Sequence, residues 1–234
     1  MYYQGGRAMK QLLLLEMKKN NFKQIVMGGL LTSGILLIYL IMSGVLMEGS
    51  YKDYTSYFSN VIAYNKIVFT IFAGLLIIRM FSEEINSKSI SILFTYPLSR
   101  KRLLVVKVIL VISVTMPLMF LSMLLHFIVL AILNLALGFA QGSMSISFFV
   151  SYIVASLLHS AFASLAALIP LMCDVKWISS QKTLIGSAVL AIFLYSIKGS
   201  SLFGIALILV VLAAGLGILL TRRAIAVVVD MDIM

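Results

Sequence analysis

Residues 103–140 read LLVVKVILVISVTMPLMFLSMLLHFIVLAILNLALGFA, 38 residues with a single charge, Lys107. A helix needs about 20 apolar residues to cross the roughly 30 Å hydrocarbon core of a bilayer. The stretch is therefore too long for one ordinary crossing and too short for two with a turn. It reads as one long helix, tilted or kinked, that ends near Leu133, followed by a short external loop to Ser147. Pro117, His126 and Asn134 interrupt its apolar pattern. The apolar residues run on without alternating, so the helix is the spanning form and a barrel strand is excluded.

Similar runs recur on both sides. The expected spans are 25–47, 61–81, 103–133, 148–171, 183–197 and 202–220, preceded by a basic helix at 7–23. In that first helix Met9, Leu13 and Met17 recur at helical spacing beside Leu12, which suits an amphipathic helix lying at the membrane face. Met1 to Gly6 carry neither an anchor nor a helix signal. The expectation is thus an all-α, polytopic membrane protein: one permease-like domain over 1–234, with six transmembrane helices and an N-terminal interfacial helix.

Composition agrees. The chain is 62% hydrophobic and 11% charged, with mean hydropathy +1.12. Too few charges are present to cover a soluble surface. The net charge of +10 could suggest nucleic acid, but the basic residues sort by side instead. With six spans, 15 of the 18 Lys and Arg fall on the side of the termini, and only Lys52, Lys66 and Lys198 fall opposite. Lys and Arg stay preferentially on the cytoplasmic side, so both termini are expected there, in the bacterial cytoplasmic membrane, with lipid and not nucleic acid as the surroundings. Cys173 is the lone cysteine and excludes an intramolecular disulfide.

Catalytic signals are missing. The chain has no GxxxxGK[ST] phosphate cradle, no HExxH, no GxSxG and no CxxC. None of its eight acidic residues falls inside an expected span. No catalytic residue, metal site or bound cofactor is expected. Four polar residues in or beside the spans are candidates for a substrate path: Lys66, His126, Asn134 and His159. The two histidines could face each other as a metal or proton site. Without a nearby carboxylate, hydrogen bonding to a neighbouring helix accounts for them more simply. Lys66, five residues into its expected span, can snorkel to the outer interface. Ser156, Ser160 and Ser164, with Ala163 and Ala167, form a small-residue face suited to close helix packing.

The segment between spans two and three, 82–102, is the most informative. From Arg79 to Lys107 the chain reads RMFSEEINSKSISILFTYPLSRKRLLVVK. Ile90, Leu93 and Phe94 share one helical face, so Ser87 to Thr95 can form a short amphipathic helix. Ser87 is its candidate N-cap, and Pro97 forces Tyr96 out of helical geometry. An apolar face between two polar stretches on the cytoplasmic side suits docking of a soluble partner.

This segment resembles the signature of type 2 ABC transporter permeases, small exporter subunits with six spans. Their pattern runs from an acidic residue after span two, through Gly-Thr and Leu-Leu, to Pro-x-Ser-Arg and Gly-Lys. Glu83 and Glu84, Ile92-Leu93, Pro97-Leu98-Ser99-Arg100 and Lys107 match it. Lys88-Ser89 and Val106 depart from it. The N-terminal helix with Glu16, Lys18 and Lys19, and the basic end after span six, are similar to the family as well.

The resemblance implies a permease that pairs with a second permease copy, the same or a sister chain. Two separate ABC ATP-binding subunits, which carry the ATP and Mg, would power it. It also implies that Ser87 to Leu98 act as the coupling helix, with Glu83, Glu84, Ser87, Ile90, Leu93, Phe94, Tyr96, Pro97, Leu98 and Arg100 as the coupling residues. The few buried charges suit a hydrophobic or amphipathic substrate such as a peptide, an antibiotic or a lipid-like compound. By analogy, similar small permeases serve peptide export and self-protection. Two other classes are open: an ATP-independent secondary transporter or channel, and a membrane-embedded enzyme, which the sparse polar inventory disfavours.

Overall fold

The structure, a computed structural model, describes residues 3–46, 54–82, 100–138, 145–172 and 180–196, together with Gly215. Among the described residues all regular structure is helical. The elements are α1 (Tyr3–Lys19), α2 (Phe22–Leu46), α3 (Tyr54–Ile77), α4 (Arg100–Leu137), α5 (Ile146–Ala166), α6 (Ile169–Met172) and α7 (Ser180–Ser196). A π-helical turn, Ile78–Ser82, continues α3.

Four stretches are long and apolar enough to cross a membrane: Phe22–Gly44, Thr55–Phe81, Leu103–Ala136 and Ile146–Ala166. The chain is a multi-pass, all-helical protein by this measure. The fifth expected span corresponds to α7, which is apolar but only 17 residues long. The sixth expected span and residues 83–99 of the coupling segment lie outside the described residues. The decisive stretch forms a single helix of 38 residues with Pro117 inside it. The helix starts at Arg100 and not Leu103. It closes at Gly138, whose φ of +65 lets its N–H reach the Asn134 carbonyl at 2.9 Å.

Two boundaries differ from the sequence reading. Helix α1 begins at Tyr3, so the opening residues join it. Helix α3 begins at Tyr54, seven residues before the expected start, because Tyr57 and Phe58 are buried against neighbouring helices and are not interfacial rings. Phe58 lies 4.6 Å from Phe127, 5.9 Å from Phe148 and 5.7 Å from Tyr152, centroid to centroid. This aromatic knot ties α3, α4 and α5 at the end where α3 and α5 both start.

Helix α3 is the hub, packing on α2, α4, α5 and α7. Of its apolar stretch 67% is buried, against 28% for α2. One glycine lets a neighbour come close. A Cβ added at Gly74 would lie 2.6 Å from Ser187 Cβ, so α3 and α7 touch nearly backbone to backbone there. The small-residue face on α5 is buried as well. Ser156, Ser160 and Ser164 each bond back to a carbonyl of their own helix, those of Tyr152, Leu157 and Ala161.

At the other end of the bundle, Asn20 and Asn21 turn the chain from α1 into α2. Asn21 adopts φ 48, a left-handed conformation that Asn tolerates better than most residues. Asn20 Nδ2 donates to the Glu16 carbonyl at 3.0 Å and to Glu16 Oε2 at 3.1 Å. Helix α1 packs on α4 through its buried Leu12 and Glu16 side, while Leu14 and Leu15 are exposed.

Candidate functional site: polar groups through the helical bundle

Polar side chains buried among apolar helices are costly unless satisfied, so their arrangement shows where an apolar bundle is specialised. Three groupings stand out.

The first closes a hydrogen-bonded circuit across α2, α3 and α4. Ser33 Oγ and Ser122 Oγ are 2.8 Å apart, and Ser122 Oγ donates to Asn65 Oδ1 at 2.9 Å. Asn65 Nδ2 approaches His126 Nδ1 at 3.1 Å, and its other proton goes to the Val61 carbonyl at 2.8 Å. His126 Nε2 lies 3.0 Å from the Ser33 carbonyl. One assignment satisfies every contact: Nδ1 of His126 accepts from Asn65 and Nε2–H donates to Ser33. His126 and Asn65 are fully buried. His126 is thus a neutral tether between helices in this arrangement. Ser33, Asn65 and Ser122 escaped the sequence reading, although Ser122 and His126, four apart on one helix, share a face.

The second grouping surrounds Lys66, which is 2% exposed. Its stem does not snorkel. Because α3 starts early, Lys66 lies 11 residues into the span Thr55–Phe81, near the middle of the membrane. A lysine there costs about 2.5–3.5 kcal/mol on insertion scales, so its retention points to use. Thr70 lies one turn further along the same face of α3 and is 1% exposed. Its hydroxyl has no hydrogen-bond partner, and neither has Nδ1 of His159 on α5. His159 lies 13 residues into Ile146–Ala166, a depth between those of Lys66 and Thr70 on the parallel helix α3. The register set by Phe58 against Phe148 and Tyr152 brings them level, and the charge of Lys66 acts on the His159 ring. His126 and His159 therefore belong to separate groupings. Among the described residues no three His, Cys, Asp or Glu side chains stand together as metal ligands.

Asn134 joins neither grouping. It is buried at the far end of α4, where its carbonyl accepts from Gly138.

The third grouping sits where α3 ends and α4 begins. Lys107, 2% exposed, donates through Nζ to the Met80 carbonyl at 2.7 Å and lies 5.5 Å from the Phe81 ring centroid. Arg79 donates to Gln24 Oε1 at 3.1 Å, tying the same π-helical turn to the start of α2. These contacts hold the two roots of the segment 83–99. Glu83, Glu84, Ser87, Ile90, Leu93, Phe94, Tyr96, Pro97 and Leu98 lie outside the described residues, and Arg100 opens α4. Lys107 was visible in sequence as a motif lysine, but its acceptor is a backbone carbonyl 27 residues away that no side-chain pattern announces.

The chain was compared with known proteins. It is 26% identical over 193 residues to the uncharacterized protein YcbO of Bacillus subtilis (strain 168), covering 79% of this chain and 83% of that one. No solved structure matches it. The family model described as ABC-2 family transporter protein matches residues 12–215, from α1 to beyond α7. That match takes in every helix whose polar residues are described above, and the chain belongs to the ABC-2 family of transporter proteins.

Proposed function

We propose that this chain is the membrane-spanning permease of an ATP-driven exporter, working as a homodimer or heterodimer with two separate ATP-binding subunits. The family match over 12–215 carries the reading, since the family is a transporter membrane component that works with an ABC ATP-binding partner. The chain itself has no phosphate-binding loop, so hydrolysis belongs to the partner.

In this reading six spans cross the cytoplasmic membrane, with α7 as the fifth and 202–220 as the sixth. Both termini are cytoplasmic, in keeping with the bias of Lys and Arg. Helix α1 lies along the inner face. Ser87 to Leu98 form the coupling helix, seated in a groove of the ATP-binding subunit by Ile90, Leu93 and Phe94 and ended by Pro97. Closure of the ATP-binding subunits moves this helix, and α3 and α4, rooted together by Lys107 and Met80, carry the motion into the bundle. The substrate is hydrophobic or amphipathic, a peptide, antibiotic or lipid-like molecule, because the spans hold no acidic residue and little other charge.

Gentle detergent purification from the native host tests this directly. An ATP-binding subunit is expected to accompany the wild-type chain and to be lost from the Leu93→Ala/Phe94→Ala variant with membrane insertion intact. Flux in liposomes driven by an ion gradient, without any ATP-binding subunit, would overturn it.

A further inference from the structure

The transport reading leaves Lys66, Thr70 and His159 without a task, and they share features that packing does not explain. Elsewhere in the bundle, hydroxyls in helices bond to the carbonyl one turn back, as Thr32 does to Gly28, Thr115 to Val111 and Ser156 to Tyr152. Thr70 has the same option toward the Lys66 carbonyl and does not take it. Its hydroxyl is buried and unpartnered beside a buried ammonium, at the level of an unpartnered imidazole nitrogen on α5. A hydroxyl, a ring N–H and an ammonium are three donors, and they converge in a chain whose spans contain no carboxylate.

We infer that Lys66, Thr70 and His159 form an intramembrane site for the anionic group, carboxylate or phosphate, of a molecule that is otherwise apolar. The Lys66 ammonium supplies the charge. The Thr70 hydroxyl and the His159 ring, when Nδ1 carries the proton, supply hydrogen bonds that only an acceptor-rich ligand satisfies. A neutral apolar ligand would leave all three donors dry, which is the stronger source of discrimination. The inference rests on the transport reading for the ligand's passage through the bundle, while binding itself needs no ATP and is measured separately.

The test uses the full-length chain, with any subunit that accompanies it, in phosphatidylcholine nanodiscs. The probes are 11-(dansylamino)undecanoic acid and its methyl ester, followed by fluorescence. The acid is expected to bind about tenfold tighter than the ester, the difference that charge-assisted hydrogen bonds commonly make. K66Q should abolish that preference, K66R should keep it, and T70V should weaken acid binding about threefold while leaving the ester unchanged. Equal binding of acid and ester to the wild type, or a preference that survives K66Q, would overturn the site. Should K66Q fail to insert, T70V decides: unchanged acid binding would overturn it equally. Nanodiscs with added phosphatidylglycerol identify the source of the anion. Competition by that lipid marks a lipid phosphate as the occupant, and absence of competition marks a free amphipathic anion; either supports the site. Loss of the acid preference with an ATP-binding subunit still co-purifying would sink this inference and leave the permease reading standing.

Discussion

The ammonium of Lys107 donates to the backbone carbonyl of Met80 across 2.7 Å, joining the first two turns of α4 to the last turn of α3. A π-helical turn at Ile78–Ser82 departs from the regular i to i+4 ladder, and a cation at its end suits both the freed carbonyl and the negative end of the helix dipole. Because both partners are buried, the bond is shielded from water. Removing the ammonium would leave a dry carbonyl.

Lys107→Met is expected to destabilise the bundle by about 1.5–3 kcal/mol, the range for a hydrogen bond to a charged group in a buried setting. Lys107→Arg should recover part of the loss. Thermal unfolding in detergent measures the stability. ATP hydrolysis by the assembled transporter, with and without substrate, measures coupling, which should fall in Lys107→Met even where the ATP-binding subunit still co-purifies. Unchanged stability and unchanged coupling would remove Lys107 from the force path.

The circuit of Ser33, Ser122, Asn65 and His126 makes a separate prediction. Asn65→Leu deletes both the donor to His126 and the acceptor for Ser122. Interhelical hydrogen bonds in membranes contribute about 0.6 kcal/mol on average and up to about 1.7, so two lost bonds should cost about 1–3 kcal/mol. His126→Phe should cost a similar amount, and the double variant should cost clearly less than the sum, because both singles break the same circuit. Unfolding by graded denaturing detergent, analysed as a double-mutant cycle, checks this. Strict additivity would mean that the contacts do not act together.

How much of this was legible in the sequence follows from the range of each interaction. The helices themselves were legible, because continuous apolar runs and the length of a crossing are local properties. The start of α3 was not. Tyr54, Tyr57 and Phe58 suit an interfacial loop by composition, and only the rings of Phe127, Phe148 and Tyr152, far along the chain, draw them into the helix. That one error carried the depth of Lys66 with it. For His126, hydrogen bonding to another helix was among the readings weighed, but its partners lie 61 and 93 residues away and no local pattern selects them. The pairing of Lys66 with His159 depends on the register of α3 against α5, a property of packing alone. Residues 83–99, where sequence speaks loudest about function, are those the structure does not describe.

The contact of α3 with α7 turns the packing argument into a final prediction. A methyl group added at Gly74 would lie 2.5 Å from Ser187 Oγ and 2.6 Å from Ser187 Cβ, distances at which something must shift. Ser187 cannot rotate away from a clash with its own Cβ, and its hydroxyl is bonded to the Leu184 carbonyl at 2.8 Å. The helices must separate, so Gly74→Ala should destabilise by about 1–3 kcal/mol despite the better helix propensity of alanine. Ser187→Ala should rescue little, since the Cβ stays. Ser187→Gly removes the atoms that collide and should restore most of the loss in the double variant, although alone it weakens α7. Thermal unfolding of the four variants in one detergent distinguishes these outcomes. A Gly74→Ala chain as stable as the wild type would show that α3 and α7 do not meet at this point, and that the shorter helix α7 docks elsewhere on the hub.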